Sequence, residues 1–144
     1  MSTHRLQSKS FRHRSAGFSL VELTIVVVIL GVLAMMAVPR YQTVVEQSKA
    51  SEAFVYLDQI AKGQEMYNAR NGQYADNLNK LDIKGSKPNH FSIGTPSSTN
   101  WQTKWEVKLT RTGPSSGFGN YTVTYNEKGF KTGRSSIPQK LRTK

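Results

Sequence analysis

Cysteine is absent from all 144 residues, so no disulfide staples the chain and no thiol chemistry is open to it. That absence also removes most zinc and redox sites. Histidine is scarce. His4 and His13 lie near the N-terminus and His90 stands far from both, so no pair has metal-ligand spacing. No G-x-S-x-G, H-E-x-x-H or phosphate-loop pattern occurs, and no catalytic constellation points to an enzyme. Acids are few as well, 9 against 20 lysines and arginines, for a formal charge of +11. After residue 70 they thin to Asp76, Asp82, Glu106 and Glu127, and the stretch "RTGPSSGFGN" has none.

What the chain does have is one long apolar run. Phe18 to Val38 is 21 residues. As a helix it would be about 31 Å long, against a hydrocarbon thickness of ~30 Å. Arg5, Lys9, Arg12 and Arg14 precede it with no acid among them, which predicts a cytoplasmic N-terminus. A secretory signal peptide cut near Ala37 fits poorly, because Ala34 and Ala37 are spaced three apart rather than two. A plain membrane anchor leaves Glu22 unexplained, since a carboxylate immersed in apolar sequence is costly and functional by default. The modest alternative for Glu22 is an acid at a helix N-terminus, favourable against the macrodipole.

The stretch "AGFSLVELTIVVVILGVLAMMAVPRYQ" resembles the processing signal of type IV pilins and of the pseudopilins of type II secretion. The resemblance covers residues 16 to about 57 well and the remainder in architecture alone. It implies a basic leader, Met1 to Gly17, removed by a membrane prepilin peptidase that cuts between Gly17 and Phe18 and methylates the new N-terminus on Phe18. Glu22 is then the fifth mature residue, with Gly31, Pro39 and Tyr41 at the family's usual offsets. Cleavage puts a positive amine one helical turn from Glu22, so the acid of one subunit can meet the amine of a neighbour. Glu22 therefore reads as an assembly residue that sets register. Gly31 and Pro39 weaken the helix between them, one through backbone entropy and the other through a missing donor. The family further implies a homopolymer of identical or related subunits, an inner-membrane assembly platform, and a lipid bilayer that holds the chain before assembly. It implies a single pass in the bacterial inner membrane, then a periplasmic or extracellular filament. No cofactor is implied. The family's major pseudopilin holds calcium with clustered acids near its C-terminal loops, and this chain has no carboxylates there.

The rest of the sequence predicts an α+β fold. Ala50, Ala53, Phe54, Leu57, Ile60 and Ala61 recur at three-and-four spacing, while Glu46, Lys49, Glu52, Asp58 and Lys62 fill the other sides. That is an amphipathic helix made to lie on a sheet. It continues the membrane segment to give one helix over 18–70, terminated by Gly72. Residues 71–100 read as a connecting region anchored by Tyr74, Leu78 and Leu81, with a short helical turn within Asp76 to Leu81. Over 101–133 alternation predicts three antiparallel strands. Trp105, Val107 and Leu109 share one face, as do Tyr121, Val123 and Tyr125, and "NEKG" supplies a turn. Residues 134–144 read as a solvated basic tail, part of a run with six cations after Glu127. A rival reading follows from that charge: an anchored or secreted binding module for nucleic acid or acidic glycans, with Tyr121, Tyr125 and Phe130 available for stacking.

Overall fold

The computed structural model describes residues 17–142. Helix α1 spans Leu20–Asn71, 52 residues, and runs through Gly31 and Pro39 without interruption. The chain divides into two units at Ala37/Val38, just before Pro39. In the first unit every helical residue is exposed, as expected of a helix that is apolar all round and has no core of its own to join.

In the second unit α1 carries a buried stripe of Ala50, Ala53, Phe54, Leu57 and Ile60, with Ala61 half-buried beside it. Small alanines let the sheet approach closely, and the larger residues fill the gaps between its side chains. The helix ends where the sequence says it should. Gly72 takes the left-handed conformation (φ 70°) and its N–H still donates to the Asn68 carbonyl at 2.8 Å.

The sheet has four antiparallel strands in the order β1–β2–β3–β4, one more than expected: β1 Phe91–Ile93, β2 Glu106–Arg111, β3 Thr122–Asn126 and β4 Gly129–Phe130. The last three are the predicted ones, in the register Leu109 opposite Val123 and Tyr125 opposite Phe130. The extra strand lies in the region read as connecting loop. Three residues are too short to display a period of two, and Phe91–Ile93 becomes a strand because the outer edge of β2 is free to pair with it. Gly94 closes that strand: its N–H donates to the Lys108 carbonyl at 2.8 Å, and a Cβ there would fall 2.7 Å from the same oxygen. Trp105, Val107, Leu109, Tyr121, Val123 and Tyr125 are all buried, as the alternation requires.

The connecting region is pinned by Gln64, whose buried side-chain amide exchanges two hydrogen bonds with the Ala75 backbone at 2.9 and 2.8 Å. Tyr74 and Leu81 are buried and Leu78 half-buried, and a 3₁₀ turn occupies Leu78–Lys80 within the expected helical turn.

The C-terminal segment departs from expectation. It is not a solvated tail. Ile137 and Leu141 are 1% and 0% exposed. The chain after β4 runs back along β3, with Thr124 bonding Ser135 and Arg134 and the Ser136 and Ile137 N–H groups both donating to the Thr122 carbonyl. Two apolar residues four apart among six cations carry too weak a signal to reveal this in sequence. Leu141→Ala is expected to destabilise the folded domain by about 2–5 kcal/mol, a core-sized loss, whereas neutralising exposed Lys140, whose ammonium lies 5.0 Å from the centre of the Phe118 ring, should cost no more than about 1 kcal/mol. Urea unfolding of the full chain in neutral detergent, followed by tryptophan fluorescence, separates the two.

Candidate functional site

The residues singled out for processing and assembly lie at the start of α1. Gly17, Phe18 and Ser19 precede the helix, and Phe18 is 87% exposed. The Gly17–Phe18 peptide bond is thus outside regular structure. Among the described residues a Cβ at Gly17 would meet no atom within 4 Å, and the same holds at Gly31, so packing among them demands glycine at neither position. The leader from residue 1 to 16, with His4 and His13, lies outside the described residues.

Ser19 and Glu22 together cap the helix N-terminus. The Glu22 carboxylate accepts the Ser19 N–H at 2.9 Å, and the Ser19 hydroxyl accepts the Val21 N–H at 3.3 Å. The first helical bond runs from the Leu23 N–H to the Ser19 carbonyl at 3.1 Å. Within one chain, then, Glu22 serves the helix N-terminus and sits where an acid opposes the positive end of the macrodipole. From Leu20 to Val38 the large apolar side chains stay roughly half or more exposed. The helix has an 18-residue window of mean hydropathy 2.7, long and apolar enough to cross a membrane. Pro39 lies inside it and cannot donate to the Met35 carbonyl one turn back; its own carbonyl takes the Thr43 hydroxyl at 3.0 Å.

A second cluster was not visible in the sequence. Glu46, which the periodicity assigns to a polar side of the helix, is 0% exposed. Arg111 of β2 donates to it through Nε at 2.6 Å and through Nη2 at 3.1 Å, and the Tyr121 hydroxyl donates to the same carboxylate at 2.9 Å. Arg111 is 1% exposed, and its remaining donors go to the carbonyls of His90 (3.3 Å), Thr112 and Pro114 (2.7 Å). All five guanidinium N–H groups therefore have acceptors, the condition under which a buried cation is tolerated. Burial by itself would push the Glu46 carboxyl up, but the hydrogen bonds from Arg111 and Tyr121, with the charges of Arg111 and Lys49, hold it below its ordinary value. Burial and the neighbouring Glu46 carboxylate push the Tyr121 hydroxyl far above its ordinary value. One hint was available: an arginine at an inward position of β2, in register with Val107 and Leu109, demands a buried acid.

The remaining candidates resolve simply. Tyr121 and Tyr125 are buried and Phe130 is half-buried in the core, so none offers a free ring for stacking, contrary to the expectation for the basic segment. His90 faces the Glu52 carboxylate at 3.1 Å. Among the described residues, no three His, Asp or Glu side chains are grouped to hold a metal ion.

Residues 12–38 match the family described as prokaryotic N-terminal methylation motif. Over longer stretches the chain is similar to the type II secretion system core protein G of Pseudomonas aeruginosa, 33% identical over 67% of this chain and 66% of that protein. It is also similar to the type IV wide pilus major component PilA4 of Thermus thermophilus, 33% identical over 59% of this chain and 68% of that protein. The type IV major pilin protein PilA of Myxococcus xanthus is 33% identical over 56% of this chain, and the match spans 37% of its length. With one long N-terminal helix, apolar in its first half and laid on a small antiparallel sheet in its second, the chain belongs to the family of type IV pilins and pseudopilins.

Because the Glu46 carboxyl is held low in the folded state, its contribution to stability is full above the ordinary value of 4.5 and is lost as pH falls through the lowered one. Glu46→Ala leaves the Arg111 charge buried and unpaired and is expected to cost about 3–5 kcal/mol, while the double change Glu46→Leu with Arg111→Met should cost much less than the two single changes summed. Urea midpoints between pH 7 and pH 3 test both statements. A wild-type profile superimposable on that of Glu46→Gln would remove the carboxylate from the account.

Proposed function

We propose that this chain is a structural subunit that polymerises through its apolar helix into a type IV pilus or a type II secretion pseudopilus. The observation that carries the reading is the first unit of the chain: a helix apolar on every side, exposed along its whole length, with a single acid near its start. A surface of that kind has two stable environments, the hydrocarbon of a bilayer and a bundle of like helices. The chain occupies the first as a single-pass inner-membrane protein with its N-terminus in the cytoplasm. It moves to the second as subunits are added at an inner-membrane assembly platform.

Processing makes the acid useful. A prepilin peptidase removes the leader after Gly17, an exposed site ahead of the helix, and the amine freed on Phe18 is methylated while remaining positively charged. Glu22 accepts one backbone N–H inside its own chain, which leaves the carboxylate able to accept more. In a filament it pairs with the Phe18 amine of the neighbouring subunit. That pairing fixes the axial step, because a one-turn slip would leave two charges unpaired in an apolar setting. Gly31, whose missing side chain nothing in the fold requires, and Pro39 provide a stretch of helix that can loosen as subunits are drawn together.

The test is N-terminal and intact mass analysis of protein recovered from the sheared-fibre fraction of its native host. A chain beginning at Phe18 with one added methyl is expected. A chain beginning at Met1, or near Val38, would overturn the reading. Glu22→Ala should keep the protein in the membrane at normal abundance but lower its fibre fraction more than about tenfold, the equivalent of losing ~1.4 kcal/mol per subunit contact.

A further inference from the structure

Three stretches of chain meet at the end of the folded domain where α1 enters it. They are residues 38–51 of α1, the β2–β3 loop 112–120, and the C-terminal strap 131–142, which runs back along β3 before its last turn, Gln139–Leu141. Glu46 and Gln47 hold them together. Glu46 binds Arg111 at the end of β2, and Arg111 in turn holds the loop through the Thr112 and Pro114 carbonyls. Gln47 Nε2 donates to the Lys140 carbonyl at 2.6 Å, which seats the last turn of the strap beside the helix. From there the Lys140 ammonium reaches the loop, 5.0 Å from the centre of the Phe118 ring. These stretches contain a single carboxylate, Glu46, and Arg111 neutralises it inside the fold. Arg40 and Lys140 enter no ion pair among the described residues, and Lys49 stands 3.9 Å from the carboxylate that Arg111 has already neutralised. Tyr41 and Val44, beside Arg40, are largely exposed.

We propose that this end of the domain docks on a bilayer surface of anionic phospholipid. The inference rests on the reading that the apolar helix spans a membrane. Val38 then marks the edge of the hydrocarbon, and nine further residues of α1 carry Gln47 about 14 Å beyond it. The headgroup layer fills about 5–8 Å of that distance, and at physiological ionic strength a charge is felt across ~8 Å more. Lys140, seated at Gln47, is therefore within reach of the headgroup phosphates, and Arg40 lies among them. A tyrosine next to the last apolar residues suits the same layer, where its ring meets chain and its hydroxyl meets water. Charge selects anionic over neutral lipid, because three cations face the surface and no exposed carboxylate among these stretches is repelled by it. The fold also contains an internal comparison. Lys104, Lys128 and Lys131 line a positive cleft at the opposite end of the sheet, where β2 begins and the β3–β4 turn closes, too far from Val38 to share in the docking.

The experiment places the full chain in lipid nanodiscs and exploits its lack of cysteine. A fluorophore is attached at Asn120→Cys, exposed in the β2–β3 loop, or at Thr103→Cys, exposed ahead of β2, and quenching by nitroxide-headgroup lipid is read. In discs of phosphatidylcholine mixed with phosphatidylglycerol, the label at 120 should be quenched and the label at 103 should stay bright. Discs of phosphatidylcholine alone should leave both bright, and raising salt from about 50 to about 500 mM should release the label at 120. Lys49→Ala/Lys140→Ala should lower the ratio of docked to free domain roughly 25-fold, about fivefold for each cation. Lys104→Ala/Lys128→Ala removes the same charge from the far cleft and should change that ratio by less than about twofold. Equal quenching in neutral and anionic discs would overturn the proposal, as would equal losses in the two variants or equal quenching of the two labels. A chain that enters the discs with the label at 120 unquenched in anionic lipid would overturn the docking alone. A chain that stays out of the discs would overturn the membrane-spanning reading and the docking with it.

Discussion

The buried contact of Glu46 with Arg111 and Tyr121 is the constraint on which the domain depends. It joins the helix to β2 and to Tyr121, the residue before β3, at one point, and through the arginine's other donors it also holds the carbonyls of His90, Thr112 and Pro114. Apolar packing between a helix and a sheet is non-directional, and a stripe of alanines, leucine and isoleucine could settle one turn up or down at modest cost. A buried carboxylate with a single fully partnered arginine cannot. Any slip leaves two desolvated charges without partners, so this contact selects one docking of helix on sheet.

That selection bears on function through distance along the chain. Glu46 lies seven residues beyond Pro39, where the exposed apolar segment ends and the folded domain begins. Of the two carboxylates near the ends of the apolar helix, Glu22 is exposed and held by a backbone N–H, and Glu46 is buried and held by a guanidinium. The first is free for exchange with a partner. The second is committed within the fold. In the proposed polymer the two carboxylates have different work, Glu22 in the contacts that form on assembly and Glu46 in holding the helix on the sheet in one register.

How much was legible in the sequence varies with the range of the interaction that decides it. The apolar run, its acid, and the glycine and proline around it could be read from local composition, because membrane compatibility is a property of a contiguous segment. The stripe from Ala50 to Ile60 and the alternation in β2 and β3 were legible for the same reason: a period needs no knowledge of the partner. Strand β1 was not, since Phe91–Ile93 is too short for a period and owes its pairing to β2. Nor was the strap, whose Ile137 and Leu141 look like isolated apolar residues in a basic stretch until β3 is placed beside them.

The sequence by itself determined an N-terminal helix apolar enough to cross a membrane and a small α+β domain of the pilin kind, because those features follow from patterns along the chain. The tertiary structure alone decided which charges are sheltered and which are free. Glu46, exposed by periodicity, is buried because Arg111 arrives from 65 residues away. Lys104, Lys128 and Lys131 form one positive cleft because the hairpin and the strap fold them together. Charge pairing acts through space, between residues whose proximity only the completed fold creates.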